Sequence, residues 1–253
     1  MSTVAILGCG PSGLIAAHAA EQLGYTVTIL SKKKKSIIPG SQHLQGAIPG
    51  VTPHYPEYTV EFVRLGTAEG YAQKVYGDPT HPCGWESYRG VHPSWSVQNA
   101  YDLLWDRYEE RIEPWEFNGL SDMLGILDAY DCVISAIPQP IICYEAEKHF
   151  FEGVPYYIKT LEIPPGDHNR EIVVWNGLES DLWYRWSILG EKCSIESTQF
   201  MTGCIEGRKA IYSNCNCYQD DGIIRVGRWA KWRHGVLLQH VYTDVVNQLA
   251  GRK

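Results

Sequence analysis

Three glycines near the start of the chain have the spacing of a phosphate-binding turn. Gly8, Gly10 and Gly13 form a Gly-x-Gly-x-x-Gly run, with Pro11 and Ser12 between the last two. In dinucleotide-binding folds the first glycine permits a tight turn, and the second lets a pyrophosphate approach the backbone. The third lets a helix pack close to a strand, and that helix presents N–H groups and its positive dipole end to the phosphates. The run therefore predicts a nucleotide site.

The residues around this run predict the elements that such a turn needs. Thr3–Leu7 is a short apolar segment rich in β-branched residues, which is typical of a buried parallel strand. Leu14–Leu23 is Ala-rich with an apolar helical face, and Gly24 follows as a C-cap. Tyr25–Leu30 predicts a second buried strand. The strand–turn–helix–strand order makes the glycine run a stronger signal than the same spacing alone.

The second strand ends without the acidic residue that usually binds the ribose hydroxyls in these folds. Ser31 stands at that position and is followed by four lysines, Lys32 to Lys35. A serine hydroxyl can still hydrogen-bond a ribose, and Lys32 can meet a phosphate. The departure leaves NADP open as the nucleotide, because its 2′-phosphate suits the lysines.

The ends of the chain predict one domain between them. Cys132–Pro138 is a buried strand that we expect to rejoin the sheet begun at Thr3. Gly222–Arg228 predicts a last strand and Gly235–Leu249 a last helix, with an apolar stripe along one side. The middle of the chain would then be an insertion.

The sequence therefore predicts an α/β fold in which a Rossmann-like domain is built from both chain ends. The middle contains segments that alternate like antiparallel strands and predicts an inserted mixed or antiparallel β-sheet substrate region. The expected boundaries are 1–56, 112–142 and 218–253 for the nucleotide domain, 57–111 for a helical cap, and 143–217 for the substrate domain.

Composition restricts the class of protein. The chain has 253 residues and a net charge of −7. The acidic balance counts against sequence-independent nucleic-acid binding, which needs a basic face, although a local basic groove stays open. No apolar run has the length of a membrane span and no signal peptide precedes the first strand, so we expect no membrane segment.

Eight cysteines are present, and none form a Cys-x-x-Cys pair. We therefore expect free thiols in a reducing cytoplasm. Cys215 and Cys217 are the only close pair. Without two further clustered ligands they make a poor metal site, so we expect no metal.

The glycine run, the Val-Ile-Ser-Ala-Ile-Pro strand and the terminal strand followed by Gly227-Arg228 together resemble the FAD-dependent oxidoreductases. The chain is most similar to the branch that holds flavin amine oxidases and UDP-galactopyranose mutases. The resemblance covers the two ends and the strand near residue 135, and it implies FAD as the cofactor. Besides the first glycine turn, it implies cofactor contacts from Gln42, His43, Gly227, Arg228, Gly235 and Val236.

The substrate region contains further residues with useful chemistry. Trp183-Tyr184-Arg185 resembles an aromatic–Arg stretch that lines the pocket in the mutases. A histidine titrates in the range that general acid–base catalysis needs, and an arginine can hold a carboxylate or phosphate. The candidate catalytic residues are His43, Tyr184 and Arg185. The candidate substrate contacts are Trp85, Arg89 and Trp183.

A single glycine fingerprint means that no separate NADPH domain is expected. The first expectation is an FAD-dependent oxidoreductase that oxidises a small polar molecule by hydride transfer to the flavin, for example at a C–N bond. An NADP-dependent reductase and a mutase-like, non-redox flavoenzyme stay open as alternatives. No pattern specifies an oligomeric state.

A lyase is a further alternative. The chain resembles compact FAD proteins among the bacteriophage enzymes that modify thymidine and cleave a glycine C–N bond. A DNA substrate would conflict with the acidic net charge, but Lys32–Lys35 and the arginines of Arg225–Arg233 would supply a local groove.

Overall fold

The computed structural model describes residues 2–87, 89–167, 170–218 and 222–251, and Ser87 by its backbone alone. The strands are β1 Thr3–Leu7, β2 Thr26–Ser31, β3 His43–Leu44, β4 Tyr58–Gly66, β5 Gly90–Ser96, β6 Ile112–Pro114, β7 Cys132–Ser135, β8 Phe151–Leu161, β9 Ile172–Gly177, β10 Trp183–Leu189, β11 Lys192–Ser197, β12 Ile205–Ser213 and β13 Ile224–Arg225. The helices are α1 Pro11–Gln22, α2 Ala68–Tyr76, α3 Val97–Tyr108, α4 Leu120–Ala129, α5 Gln139–Ile142, α6 Gly227–Lys231 and α7 His240–Ala250, with 3₁₀ turns at Trp85–Ser87 and Glu109–Arg111.

The chain divides into two compact units, each made of separated segments. Unit 1 comprises Met1–Ile37, Asn99–Glu152 and Ala210–Lys253. Unit 2 comprises Ile38–Gln98 and Gly153–Lys209.

Unit 1 contains a five-stranded parallel sheet with the order β13-β7-β1-β2-β6. The central strand β1 is buried from Val4 to Leu7, as its apolar run predicts. Its register sets Val4 between Val27 and Cys132. Both chain ends therefore belong to one sheet, which confirms the expected Rossmann-like arrangement.

Helices from distant parts of the chain cover this sheet. α1 packs against β1, β2 and α7, and its residues from Gly13 to Ala20 are buried. The Tyr25 hydroxyl donates a buried hydrogen bond of 3.3 Å to the Leu249 carbonyl in α7. Met123 and Ile126 of α4 join the apolar core around Val133.

Unit 2 contains a mixed sheet with the order β12-β8-β11-β10-β9-β4-β5-β3. β8, β11, β10 and β9 pair antiparallel, as the alternation in the sequence predicts. β4 joins the sheet parallel to β9, and β5 and β3 follow antiparallel. The predicted α/β fold with an inserted mixed sheet is confirmed.

The segment 57–111, expected as a helical cap, is built differently. Its first part is the nine-residue strand β4, in which Val60 and Phe62 are buried two residues apart. That period of two is the signature of a strand, and β5 pairs with it. Among the described residues of this part of unit 2, α2 is the one complete α-helix.

The last part of that segment, α3, belongs to unit 1. Tyr101, Leu104 and Tyr108 along one side of α3 are fully buried. The Tyr108 hydroxyl donates to the Glu21 carboxylate at 2.6 Å, which ties α3 to the end of α1. The units change at residues 37/38, 98/99, 152/153 and 209/210, whereas the sequence suggested changes at 56, 111, 142 and 217.

The C-terminal helix begins later than the sequence suggests. The expected start was Gly235, but α7 begins at His240. Gly235 has a φ of +78°, which lies in the left-handed region and is incompatible with a helix interior. Val236 therefore lies in the connection between α6 and α7. Within the described ranges, no helix combines the length and apolar character needed to cross a lipid bilayer.

Gly13 permits the closest contact between α1 and the end of β1. A Cβ at this position would lie 1.9 Å from the Gly8 carbonyl oxygen, which no real Cβ tolerates. Gly13→Ala should therefore lower the free energy of unfolding by about 3 kcal/mol, because the backbone must shift. The exposed Gly125 in α4 has nothing within 4 Å of its Cβ position. Gly125→Ala should raise stability by about 0.5–1 kcal/mol, and urea unfolding of both variants tests the contrast.

Candidate functional site

The predicted phosphate turn lies where β1 ends and α1 begins. Gly10 is the N-cap of α1, Pro11 is its first residue, and the Leu14 N–H donates to the Gly10 carbonyl at 3.0 Å. The first N–H groups of a helix have no partner within the helix, and the dipole makes that end positive. The amides of Ser12 and Gly13 therefore stand where a phosphate group would bind.

The C-terminal Gly-Arg pair lies against the same turn. Gly227 begins α6 with a φ of +78°, and a Cβ there would lie 2.3 Å from the Ser12 hydroxyl oxygen. The Val226 N–H donates to the Ser135 carbonyl at 3.0 Å, which holds this segment beside β7. Residues from both chain ends thus form one cradle, and Arg228 follows in the first turn of α6.

Ser31 contacts the glycine turn directly. Its hydroxyl accepts the Cys9 N–H at 3.3 Å. The hydroxyl of Tyr101 on α3 donates to the Cys9 carbonyl at 3.1 Å and accepts the Ser36 N–H at 2.9 Å. The turn and the chain that follows β2 are therefore held together by Ser31 and Tyr101.

Two of the lysines after β2 have acidic partners. Lys32 pairs with Glu116, and both side chains are exposed. Lys35 pairs with Asp102 at 2.6 Å, and this contact raises the pKa of Lys35. A 2′-phosphate at Lys32 would have to compete with the Glu116 carboxylate.

A buried ionic cluster lies in unit 2, and its centre is a residue that the sequence did not indicate. Glu196 on β11 is only 4% exposed. Arg185 on β10 pairs with it at 3.1 Å, and Lys209 on β12 lies 3.9 Å from its second oxygen. The Tyr184 hydroxyl donates to that second oxygen at 2.8 Å, and the Gln42 amide donates to the first at 3.4 Å.

These contacts keep the carboxylate ionised despite its burial. Burial by itself would raise the pKa of Glu196, but Arg185, Lys209, Tyr184 and Gln42 outweigh it and lower the pKa. Burial raises the pKa of Tyr184 well above its ordinary value, and the Glu196 charge adds to this. Tyr184 is therefore a neutral hydrogen-bond donor, while the Lys209 ammonium lies 4.0 Å from the centre of its ring.

The segment that carries Gln42 and His43 is fixed to the same sheet. The Ser41 N–H donates to the Ser194 hydroxyl at 3.0 Å, and the Ser41 hydroxyl donates to the Lys192 carbonyl at 2.9 Å. Arg185 also donates to the Ser41 carbonyl at 3.0 Å. One guanidinium therefore holds both the buried carboxylate and this backbone.

His43 differs from the expected general acid–base. Burial and the charge of Arg185 lower the pKa of His43 to about 3, and the charge of Glu196 opposes them only in part. The ring is therefore neutral near pH 7, outside the titration range that the sequence suggested. Neither ring nitrogen has a hydrogen-bond partner among the described residues. A buried polar group without a partner is costly, so these nitrogens are suited to a bound molecule.

The predicted substrate residues have different surroundings. Trp85 is buried and packs on Tyr71, with ring centres 5.3 Å apart, so it belongs to an aromatic core. Arg89 is exposed and pairs with Glu86 at 3.3 Å. Trp183 begins β10 beside an irregularity in the pairing with β11. Of the residues singled out in unit 2, the structure gathers Gln42, Tyr184 and Arg185 around Glu196.

The sequence alone does not reveal the roles of Glu196 and Lys209, because these roles depend on how the strands pair. Arg185 and Glu196 are direct cross-strand neighbours between β10 and β11. The signal available in the sequence was weak, namely one acid among the small and apolar residues of Cys193–Ser197. Without the register, such a residue cannot be distinguished from one on a solvent-exposed face.

Comparison with known proteins identifies the fold. A scan against protein-family models found no match, and neither did a search of curated proteins. Among solved structures, reduced UDP-galactopyranose mutase is 11% identical, with a TM-score of 0.57 over 100% of this chain and 96% of that one. A 2-methyl-3-hydroxypyridine-5-carboxylic acid oxygenase is 13% identical, with a TM-score of 0.54 over 99% and 81%. A flavoprotein/dehydrogenase from Cytophaga hutchinsonii is 12% identical, with a TM-score of 0.50 over 97% and 75%.

The chain has the fold of the FAD-binding, Rossmann-type flavoenzymes. One of these neighbours is named as a flavoprotein. Their low sequence identity limits the similarity to the fold. The contacts expected from Gly235 and Val236, and a catalytic role for His43, Tyr184 or Arg185, stay predictions.

The lowered pKa of His43 predicts a pH-dependent stability. An unfolded histidine has a pKa near 6.5 and the folded one about 3, so the unfolded chain binds the extra proton between these values. The contribution is present above the unfolded pKa and is lost as pH falls towards the folded one. Lowering pH from 7 to 5 should cost about 2 kcal/mol through this group. Urea unfolding at both pH values measures the loss.

The comparison of two variants isolates His43 from other titrating groups. His43→Gln should reduce the pH dependence, whereas His54→Gln, at an exposed position, should retain the full dependence. Equal pH dependence in wild type and His43→Gln would contradict the burial of a neutral ring.

The Arg185–Glu196 pair predicts strong coupling in a double-mutant cycle. Arg185→Met should lower the free energy of unfolding by about 3–5 kcal/mol, because Glu196 loses its nearest cation while buried. Adding Glu196→Gln should recover most of this loss. Arg89→Met removes an exposed pair and should cost less than about 1 kcal/mol. Additive effects at positions 185 and 196 would contradict the pairing.

Proposed function

We propose that this protein is an FAD-dependent enzyme that oxidises a small polar molecule. Support comes from the cradle in unit 1, where the glycine turn and the C-terminal Gly-Arg pair contact each other. The close approach of Gly227 to Ser12 brings together the two motifs that the resemblance to FAD enzymes assigns to one cofactor site. The FAD-binding fold supports the same cofactor.

The observation that carries the proposal is the open space at Gly10. A Cβ built there would have one described neighbour within 4 Å, the Ser36 hydroxyl oxygen at 3.6 Å. Its φ of −70° is accessible to any residue. Neither packing nor backbone geometry therefore requires a glycine at this position. A pyrophosphate that must approach the backbone does require one, so the cradle fits the diphosphate of FAD.

The residues of the cradle would hold the cofactor by its phosphates. The amides of Ser12 and Gly13 would donate to phosphate oxygens, and the dipole of α1 would stabilise their negative charge. Ser31 would remain available as a ribose partner through its hydroxyl proton. When bound, FAD supplies an acceptor for the hydride of the substrate.

We assign substrate binding to the cluster around Glu196. Tyr184 and Arg185 would orient a polar group, since the buried Glu196 carboxylate fixes the directions of the hydroxyl and of the half-buried guanidinium. The neutral His43 ring would hydrogen-bond the substrate or cofactor through its unpartnered nitrogens. A substrate that loses a hydride from a carbon bearing an amine or alcohol needs positioning and exclusion of water rather than a strong base.

Two observations disfavour the NADP-dependent reductase and the lyase acting on DNA, because both alternatives need basic side chains that are free to bind phosphate. Lys32 is engaged by Glu116, which disfavours NADP. Arg225, part of the basic segment suggested for DNA, donates to the carbonyls of Cys215 and Cys217. We therefore retain a small-molecule substrate. The described cysteines are all free thiols, which supports our proposal of a reducing, cytoplasmic location.

The visible absorption spectrum of the purified protein tests the cofactor. We expect flavin bands that move to the supernatant after heat denaturation, because no covalent attachment is needed. Gly10→Val should abolish them while leaving the far-UV circular dichroism unchanged, since the Cβ position is open. Gly125→Val adds the same side chain to an exposed helix and should keep full flavin occupancy. A Gly10→Val protein with full occupancy would overturn the placement of the pyrophosphate.

The type of reaction is tested by anaerobic reduction. Amines, amino acids and hydroxy acids are mixed with the flavin-loaded protein, and bleaching of the flavin identifies an oxidisable substrate. Arg185→Lys should weaken the response to a carboxylate-bearing substrate while retaining the flavin. A protein that binds flavin but is bleached by none of these compounds, and is active only in an isomerisation, would favour the mutase-like alternative.

A further inference from the structure

Four metal-ligating side chains meet in unit 1, and none of them belongs to the glycine cradle. Cys143, His149, Cys215 and Cys217 each direct one ligand atom into a common space, and these atoms all lie within 4.8 Å of one another. The three cysteines are buried and the histidine is half-buried. The sequence suggested no metal because Cys215 and Cys217 lacked two further ligands. The fold supplies both of them.

Four of the six separations among these ligand atoms match a tetrahedral metal centre, and the other two are within 4.8 Å. Zinc–sulfur bonds of about 2.3 Å and zinc–nitrogen bonds of about 2.0 Å place tetrahedral sulfur atoms about 3.8 Å apart and sulfur and nitrogen about 3.5 Å apart. The Cys143 Sγ lies 3.7 Å from the sulfur of both Cys215 and Cys217. The His149 Nδ1 lies 3.2 Å from Cys143 Sγ and 3.6 Å from Cys217 Sγ.

A disulfide does not account for this arrangement. A disulfide requires sulfur atoms about 2.05 Å apart, and all three cysteines are free thiols. A disulfide between any two of the cysteines would leave the third thiol and the His149 imidazole directed at the sulfur–sulfur bond. Three sulfurs and one ring nitrogen around one point are instead a common ligand set of structural zinc.

The backbone around the four ligands is already fixed. Cys143 is the C-cap of α5, and the Gln139 side chain in α5 donates to the Cys215 carbonyl at 2.9 Å. The Phe150 N–H, next to His149, donates to the Asn214 side chain at 2.7 Å. The two ligand-bearing segments are therefore joined by hydrogen bonds that do not involve the ligand atoms.

We propose that Cys143, His149, Cys215 and Cys217 bind one zinc ion with a structural role. A borderline-soft cation suits three thiolates and an imidazole, and the four protein ligands leave no open position for a substrate. Zinc binding replaces the thiol protons, so the ion bonds to three thiolates and one neutral ring.

The site has a consequence for the cofactor cradle. Arg225 on β13 donates to the carbonyls of Cys215 and Cys217, and Gly227 follows two residues later. The ion would thus stabilise the segment that presents Gly227 to Ser12. Because metal content is measured independently of flavin, the zinc site can be tested whether or not the protein binds FAD.

The test begins with wild-type protein expressed in zinc-supplemented medium and purified without chelators or a metal-affinity tag. Inductively coupled plasma mass spectrometry should find one zinc per chain. Replacing zinc by cobalt(II) should produce red-region absorption typical of tetrahedral thiolate coordination, beyond the flavin bands. Wild-type protein that contains no zinc and takes up neither ion would overturn the proposal.

Variants then assign the ligands. Cys215→Ser and Cys143→Ser should lower zinc content at least about tenfold, whereas Cys204→Ser, a half-buried free thiol in unit 2, should retain the full equivalent. His149→Cys should convert the site to four sulfur ligands and keep the metal, with an altered cobalt spectrum. If Cys215→Ser does not fold, chelator-induced lowering of the wild-type unfolding temperature, reversed by zinc, replaces it. Folded Cys215→Ser with a full equivalent of zinc would refute the assignment.

Discussion

The approach of Gly13 to the Gly8 carbonyl is the constraint on which unit 1 depends. It lets α1 start immediately beside the end of β1, so the positive end of the helix faces the carboxyl edge of the parallel sheet. Gly227 then lies against Ser12, and the packing of α7 on α1 secures the C-terminal segment behind it. A nucleotide cradle in this fold is therefore a product of close backbone contacts.

Unit 2 depends on a different kind of interaction. Its centre is a carboxylate that is kept ionised in the interior by two cations and two neutral donors. A buried ionic cluster is an uncertain source of stability, but it fixes directions because every partner must remain in place. Arg185 illustrates this, since it binds both Glu196 and the backbone at Ser41. Such rigidity suits a site that orients a bound molecule. The neighbouring His43 is neutral because burial and Arg185 lower its pKa, so it is a poor proton acceptor near pH 7.

Local patterns predicted the features that depend on neighbouring residues. The glycine run, β1, α1 and the antiparallel strands from β8 to β11 all follow from spacing and alternation. The sequence failed where function depends on residues that meet only after folding. Glu196 becomes visible through its register with Arg185, and 72 residues separate Cys143 from its ligand partner Cys215. The segment 57–111 was assigned to a helical cap because the apolar/polar alternation of β4 stops after Phe62, where Val63 and Leu65 add apolar residues to the opposite face.

The segmented construction of unit 1 also has a consequence for biosynthesis. A nascent chain that has emerged as far as Lys209 already contains every segment of unit 2, whereas unit 1 still lacks β13, α6 and α7. Domains generally fold as units during synthesis. Unit 2 can therefore fold on the ribosome before β13, α6 and α7 are available to complete unit 1 around β1 and α1. The contact between Gly227 and Ser12 can then form only after α6 has been synthesised. A product that stops before α7 would leave exposed the face of α1 that α7 covers.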